Sequence, residues 1–295
     1  MKDLLKLFLS GSKKDRSYYY YRYKESALSL KLNPNFRKII ISKLPLDIII
    51  PAIDKDIETL PYVIDAAKKN IKHPIDKIFI VAPETIKLKE LSCKLNCIFI
   101  NEKSVLGYNK SIINYNFNGS DRSGWLFQQL LKLYSDNISN KSHFLILDAD
   151  TIFIHNKKFE HNNKIILDFS DEFHNPYYAT FEKLTGLHHK FPISFVSHYM
   201  LFEAKKLKEL RLLIEKHNNC SWDKAIIATA DNNQLSCFSE YETYANFVLQ
   251  KYKREFMISY WFNKNLPVNE LINISHLINL YSEKFLSLSF HSYNS

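Results

Sequence analysis

Short, wholly apolar runs that alternate with segments of helical periodicity constrain this sequence most strongly. Over residues 46–100 the pattern predicts, in order, strand 46–50, helix 57–71, strand 78–81, helix 84–94 and strand 97–100. Pro51 and Pro83 stop the first two strands. Because the strands are apolar throughout instead of alternating, they are typical of a parallel sheet covered by helices on both faces.

The remainder of the chain continues this pattern less regularly. A polar, asparagine-rich stretch over 101–123 predicts a loop. The elements expected after it are helix 124–137, strand 143–147, strand 164–169, strand 194–202, helix 204–217, helix 239–251 and late strands over 255–262 and 285–291. Because no linker rich in Pro, Gly or Ser divides the chain, we expect one α/β domain over 44–295, preceded by an arm over 1–43.

The arm carries almost all of the excess positive charge. The net charge is +9, and residues 1–43 contain eleven basic and three acidic residues. The domain is therefore nearly neutral, unlike a nucleic-acid-binding fold, so we do not expect nucleic acid as a partner. The arm mixes lysines with an apolar cluster at 4–9 and tyrosines at 18–23. It could bind an anionic membrane surface or pack its tyrosines on the domain.

Composition excludes several classes of site. Only five glycines are present, and none of them forms a glycine-rich dinucleotide or P-loop signature. A nucleotide would therefore have to be bound through side chains and a metal. No apolar run reaches the ~18 residues that span a bilayer, and the N-terminus does not resemble a signal peptide. The four cysteines form no CxxC pair, which predicts free thiols in a reducing cytoplasm.

An acidic pair follows the strand at 143–147. Asp148 and Asp150 are two residues apart, so their side chains point to the same side. Ligands of open α/β sheets bind beyond the carboxyl ends of the strands, where two carboxylates can hold a divalent cation that neutralises a diphosphate. A pair of turn or capping aspartates is the alternative.

Five segments together resemble the GT-A superfamily of nucleotide-sugar glycosyltransferases, and more closely a group of bacterial glycosyltransferase-like proteins of surface polysaccharide synthesis. They are LDIIIPAIDKD (46–56), GWLFQQLLKLY (124–134), FLILDADTIF (144–153), FSEYETYANF (238–247) and the weaker SFHSY (289–293). They extend over nearly the whole chain apart from the arm. The resemblance implies a GT-A fold, with a mixed, mostly parallel central sheet and helices on both faces.

The same resemblance implies a metal site. Asp150 would be a direct ligand of Mn²⁺ or Mg²⁺, and Asp148 would face both the metal and the ribose. A C-terminal histidine often completes such sites, which makes His291 the candidate. Imidazole suits Mn²⁺ better than Mg²⁺. A structural histidine within a strand is the alternative for His291.

The donor would lie at the end of the first strand, against Pro51, Ala52 and Asp54. Asp54 could instead cap the following helix. The helix at 124–137 offers four further candidates for the nucleotide sugar: Trp125, Gln128, Gln129 and Lys132. Lysine could pair with phosphate, and an amide could contact sugar hydroxyls. Alternatively, the polar residues form the solvent-exposed face of the helix and the tryptophan belongs to the core.

An inverting transfer needs a carboxylate base beside the acceptor hydroxyl. Glu240 is the first candidate, Glu242 the second and Asp231 the third. Ser239 should cap the helix that begins here, so local stabilisation also explains one of the glutamates. His198 could lie near the acceptor, or it could be a buried, hydrogen-bonded histidine.

These expectations describe a hexosyltransferase-like enzyme. A nucleotide sugar, with UDP-sugar preferred, would donate to a glycan or lipid-linked acceptor in capsule or lipopolysaccharide synthesis. The enzyme would be cytoplasmic, with the arm at the inner face of the membrane.

Three alternatives are weaker. A haloacid-dehalogenase-like phosphohydrolase would need Thr or Val where Ile152 stands. A sugar nucleotidyltransferase would need a glycine-rich first loop. A non-catalytic membrane-surface protein would explain the arm alone and not the acidic pair.

Overall fold

The structure, a computed structural model, describes residues 41–170, 172–191 and 193–291. The basic arm predicted over residues 1–43 therefore lies outside the described residues, apart from its last three. Within the described ranges, no helix is both long enough and apolar enough to cross a membrane.

Thirteen strands are found in the described ranges. They are β1 (Leu46–Pro51), β2 (Ile75–Ala82), β3 (Ile98–Asn101), β4 (Asn116–Phe117), β5 (Ser120–Asp121), β6 (His143–Leu147), β7 (Thr151–Phe153), β8 (Glu160–His161), β9 (Lys164–Phe169), β10 (Tyr199–Glu203), β11 (Phe256–Tyr260), β12 (Asn263–Pro267) and β13 (Ser287–His291).

Nine α-helices occur in the same ranges, together with short 3₁₀ turns. They are α1 (Leu60–Asn70), α2 (Ile86–Lys94), α3 (Glu102–Leu106), α4 (Ser123–Leu133), α5 (Asn175–Thr185), α6 (Ala204–Asn218), α7 (Trp222–Ile227), α8 (Glu240–Lys251) and α9 (Ile274–Tyr281).

The central sheet has the order β10-β6-β1-β2-β3. The last four strands run parallel, and β10 pairs antiparallel with β6. A hydrophobic core lies on each face of this sheet, so the parallel strands are buried on both sides. Successive residues of a strand point into the two cores in turn. Ile49 and Phe144 face the core that includes α4, α5, α6 and α8, whereas Ile48 and Leu145 face the core that includes α1. The predicted α/β class, with a mixed, mostly parallel sheet and helices on both faces, is confirmed.

A smaller sheet completes the carboxyl edge of the central sheet. Its order is β12-β13-β7, with β13 parallel to β12 and antiparallel to β7. Because β7 begins one residue after Asp150, this pairing brings the C-terminal strand alongside the acidic pair. The Phe290 N–H donates to the Asp150 carbonyl at 2.9 Å.

Several elements differ from the prediction. Helices α5, α7 and α9 and strand β7 were not predicted. The segment 101–123, expected to be a loop, contains α3 and the small β4-β5 hairpin. The single late strand expected over 255–262 ends at Tyr260, and β12 belongs to another sheet. Trp261 and Phe262 lie between β11 and β12 and continue the apolar pattern of β11. Periodicity therefore does not show where that strand ends.

A substitution at Phe202 tests the packing of the antiparallel strand β10. Its side chain is fully buried, with ring centroids 4.5 Å from Tyr244 and 6.1 Å from Phe144. We expect Phe202→Ala to lower the free energy of unfolding by about 3–5 kcal/mol, through lost burial and the cavity left behind. Urea denaturation measures this. Leu212→Ala, at a site 53% exposed on α6, is the control and should cost far less. Equal losses in both variants would contradict this packing.

Candidate active site

The acidic pair lies at the carboxyl edge of the central sheet. Asp148 follows β6 directly, and its N–H donates to the His198 carbonyl at 2.9 Å. His198 immediately precedes β10 and adopts a left-handed backbone conformation, with φ of 53°. Because β10 is antiparallel, its first residues lie at the same edge as the last residues of β6. The reversal of direction therefore places a histidine beside the two aspartates.

Asp148, Asp150 and His198 form a cluster suited to a divalent cation. One potential ligand atom from each side chain lies within 4.8 Å of the other two. Two carboxylates and one imidazole make a mixed oxygen and nitrogen donor set. Such a set fits Mn²⁺ better than Mg²⁺, because Mg²⁺ prefers oxygen ligands only. The sequence placed His198 on the acceptor side, and the structure adds it to the group of potential ligands.

Hydroxyl groups and a carboxylate orient the His198 ring. Its Nδ1 lies 3.2 Å from the Ser289 hydroxyl and 3.3 Å from the Thr151 hydroxyl, and its Nε2 lies 3.6 Å from Oε1 of Glu172. Burial alone lowers the pKa of His198. The bond to Glu172 and the nearby negative charges outweigh burial and raise this pKa to about 9. Without a cation, the imidazolium therefore offsets the aspartate charges at neutral pH.

His291 contacts the other carboxylate. Its Nδ1 lies 3.0 Å from Oδ2 of Asp150. The histidine that the sequence predicted as a metal ligand therefore contacts another potential ligand. Burial raises the pKa of Asp150. The contact with His291 and the charge of His198 outweigh that effect, so this pKa is lowered overall. Asp150 is consequently available in its charged form.

Lys132 on α4 connects Asp148 to Glu240. Its ammonium nitrogen lies 2.6 Å from Oδ1 of Asp148 and 2.9 Å from Oε1 of Glu240. Tyr241 donates its hydroxyl to the same Asp148 oxygen at 2.9 Å. Lys132 is 3% exposed and Glu240 is 1% exposed, so neither lies on a solvent-exposed helix face.

The pKa shifts in this network have opposing causes. Burial lowers the pKa of Lys132, but the charges of Asp148 and Glu240 outweigh burial and raise it overall. Burial also raises the pKa of Glu240, and the charge of Lys132 counters part of that shift. Asp148 and Glu240 thus hold Lys132 charged, and Lys132 opposes the effect of burial on Glu240 without cancelling it.

The other candidates on α4 make contacts within the protein. The Gln128 side-chain amide donates to the Pro51 carbonyl at 3.4 Å, which ties α4 to the end of β1. The buried Gln129 amide donates to the Trp125 carbonyl at 3.2 Å. Trp125 is half-buried and lies beneath the Arg122 guanidinium group, 4.9 Å from the ring centroid.

The candidates after β1 differ in exposure. Ala52 is buried, and its N–H donates to the Val81 carbonyl at 2.9 Å. Asp54 is exposed and accepts a hydrogen bond from the Thr85 hydroxyl at 2.8 Å. Thr85 caps α2, so Asp54 connects the end of β1 to that cap.

Glu242 contacts the segment that leads to His198. Its carboxylate accepts hydrogen bonds from the Phe195 N–H at 2.7 Å, the Ser194 hydroxyl at 3.3 Å and the Asn246 amide at 2.9 Å. The side chain is fully buried, and burial raises its pKa to about 8. The predicted Ser239 cap is present, because its hydroxyl accepts from the Glu242 N–H.

Sequence reasoning missed three residues of the site: Glu172, Tyr241 and Thr151. Tyr241 lies within the segment FSEYETYANF, so its position could have drawn attention. Glu172 follows β9 without any motif. Its side chain is 36% exposed, unlike that of Glu240, so it is a carboxylate beside the cluster with access to solvent. Asp231, the third candidate base, is exposed and caps a turn through the Asn233 N–H.

Comparison with known proteins gives one family. A model described as a family of unknown function (DUF6492) matches residues 46–276. A search of curated proteins gives no match.

Three solved structures are similar over most of this chain. Mouse xyloside xylosyltransferase 1, in its apo form, is similar over 85% of this chain and 99% of its own, at 12% identity and a TM-score of 0.46. Galactosyltransferase LgtC, in complex with donor and acceptor sugar analogues, is similar over 83% of this chain and 87% of its own, at 13% identity and a TM-score of 0.43. The bifunctional glycosyltransferase WbbM, in its apo form, is similar over 88% of this chain and 48% of its own, at 11% identity and a TM-score of 0.48.

Glu242 makes stability depend on pH. The ordinary pKa of its carboxyl group is 4.5, and burial raises this pKa to about 8 in the folded protein. The contribution of Glu242 to the free energy of unfolding is therefore full below pH 4.5 and is lost as the pH rises through 8. The loss is on the order of 4–5 kcal/mol. We expect Glu242→Gln to remove this decline, measured as the difference in urea unfolding free energy between pH 5 and 8.

Glu90→Gln on the exposed face of α2 is the control and should leave the pH dependence unchanged. Parallel curves for wild type and Glu242→Gln would show that the carboxyl does not titrate in this range.

Proposed function

The chain belongs to DUF6492, a family of unknown function, and we propose that it is a metal-dependent glycosyltransferase. It would move a sugar from a nucleoside-diphosphate sugar to a glycan or glycolipid acceptor. The convergence of Asp148, Asp150 and His198 at the carboxyl edge of the central sheet carries this proposal. That edge is where ligands of open α/β sheets bind.

The chemistry of the donor set supports a cation. Asp148, Asp150 and His198 would hold it, with His291 orienting Asp150 from 3.0 Å. When bound, the cation would neutralise the negative charge that develops on the departing nucleoside diphosphate. A chain with only five glycines and no glycine-rich phosphate loop has to supply this charge neutralisation by other means.

The acceptor hydroxyl needs a base if the reaction inverts at the anomeric carbon. Glu240, the first candidate, is buried and ion-paired with Lys132. Glu172 is also paired, at 3.6 Å from His198, but its side chain is 36% exposed, so it is the carboxylate that an acceptor can reach. We therefore propose Glu172 as the base of an inverting reaction.

The biological setting follows from the sequence resemblance alone. We propose an acceptor in a surface polysaccharide such as capsule or lipopolysaccharide. We also propose that the enzyme works at the inner face of the cell membrane, with the basic arm over residues 1–43 attracted to anionic lipid.

A thermal-shift panel tests the donor. UDP-, GDP-, CMP- and dTDP-sugars are added with Mn²⁺ and again after the metal is removed with EDTA. Because a ligand that binds only the folded state raises the melting temperature by mass action, we expect one nucleotide class to give a shift that requires the metal. A panel without any metal-dependent shift would overturn the proposal. Hydrolysis of p-nitrophenyl phosphate instead would favour the phosphohydrolase alternative.

Asp150→Asn tests the assignment of the site. Losing one carboxylate ligand should abolish metal-dependent donor turnover and weaken Mn²⁺ binding, measured by isothermal titration calorimetry. Asp65→Asn on the exposed face of α1 is the control and should behave as wild type. Full activity in Asp150→Asn would remove the acidic pair as the metal site.

A further inference from the structure

Lys132 carries a buried positive charge that the transfer reaction described above does not use. Its ammonium group has three donor hydrogens. Three acceptors surround it: Oδ1 of Asp148 at 2.6 Å, Oε1 of Glu240 at 2.9 Å and the ring face of Tyr241, whose centroid is 4.6 Å away. The ammonium group is therefore paired with two carboxylates and a ring face of the protein.

This pairing and the burial of Lys132 argue against the phosphate contact that the sequence suggested. A lysine that binds a substrate phosphate needs a donor hydrogen directed into the site and some access to solvent. Lys132 is 3% exposed, and its charged partners are Asp148, directly after β6, and Glu240 in α8. The side chain acts on the protein and not on the substrate.

We propose that Lys132 is a positioning residue for the cation site and that Glu240 is its counter-ion. Lys132 fixes the orientation of the Asp148 carboxylate, and Glu240 keeps the lysine charge from cancelling the aspartate charge. This inference rests on the proposed metal-dependent function, because it assigns a role to residues that support the cluster Asp148, Asp150 and His198.

The geometry of Asp148 supports the positioning role. Both Lys132 and Tyr241 bond to Oδ1, whereas Oδ2 accepts no hydrogen bond from any of the described residues. Two anchors on one oxygen fix the carboxylate plane and leave the second oxygen for a cation. Groups that orient a metal ligand in this way typically change metal affinity by about 10–100-fold when they are removed.

The balance of charge supports the counter-ion role. Asp148 and Asp150 carry two negative charges, which match a divalent cation. A buried lysine 2.6 Å from Asp148 would by itself cancel one of them. Glu240, the second carboxylate paired with the ammonium group, restores the balance, so the pair Lys132–Glu240 contributes orientation without net charge.

The deciding experiment is the double variant Lys132→Met/Glu240→Gln. It removes the anchor and keeps the net charge of the site, so a loss of Mn²⁺ affinity cannot come from a change in net charge and reports lost orientation of Asp148. Replacing a buried ion pair by neutral groups is often close to neutral for stability. We expect the melting temperature of the apo protein to stay near that of wild type, and the Mn²⁺ dissociation constant from calorimetry to rise about tenfold or more.

Lys206→Met/Glu203→Gln is the matched control. Lys206 is also buried, and it bridges Glu203 and Glu255, with its nitrogen 2.7 Å from Oε2 of Glu255. It contacts none of the potential ligands. This variant should retain the wild-type Mn²⁺ affinity, which separates a general effect of removing a buried lysine from the effect of releasing Asp148.

Two single variants complete the test. Tyr241→Phe removes the other anchor of Oδ1 without changing charge and should also weaken Mn²⁺ binding. It keeps the proposal testable if the double variant does not fold. Glu240→Gln leaves the lysine charge unbalanced and should weaken Mn²⁺ binding without donor or acceptor present. Normal Mn²⁺ affinity with lost turnover in Glu240→Gln would instead make Glu240 the base and overturn its role as counter-ion.

The outcomes distinguish this inference from the proposed function. If the wild type binds no Mn²⁺, the metal-dependent function itself fails. If the wild type binds Mn²⁺ and the double variant binds it equally well, only the positioning role fails. Unchanged Mn²⁺ affinity with weaker binding of the nucleotide sugar would identify Lys132 as a phosphate contact.

Discussion

Electrostatic repulsion between Asp148 and Asp150 is the constraint around which the site is organised. Two carboxylates that follow a buried strand have lost part of their hydration, so their repulsion is stronger than it would be in water. Lys132 lies against one carboxylate, His291 against the other, and the charged His198 near both. These side chains come from α4, β13 and the start of β10, so elements distant in sequence meet at one pair of charges.

The same constraint explains why polar residues are buried around β6. An ammonium group inside a protein needs partners for its charge and for its donor hydrogens. Glu240 and Tyr241, in the first turn of α8, contact the ammonium group of Lys132. The buried Glu242 carboxyl group accepts a hydrogen bond from the Phe195 N–H. The segment SEYE is therefore a set of interior contacts, although its composition suggests a solvated helix start.

Much of the framework could be predicted from the sequence because it follows from local pattern. The apolar runs before Pro51 and Asp148 predicted two strands, which the structure pairs in parallel, and the acidic pair was placed correctly at a strand end. His198 was harder to interpret, since its position depends on the antiparallel direction of β10. Direction is a property of strand pairing, and no residue near His198 encodes it. The burial of Lys132 likewise depends on a partner 108 residues away in the chain.

The first turn of α8 has a further consequence for how the site comes apart. Tyr241 holds Asp148, and Glu242, one residue later, holds Ser194 and Phe195 at the start of the segment that ends in His198. Both sides of the cluster thus depend on a single helical turn. Local opening of that turn would release an aspartate and a histidine together. Asp148 and His198 are consequently coupled through α8, whereas Asp150 is held separately through His291 on β13.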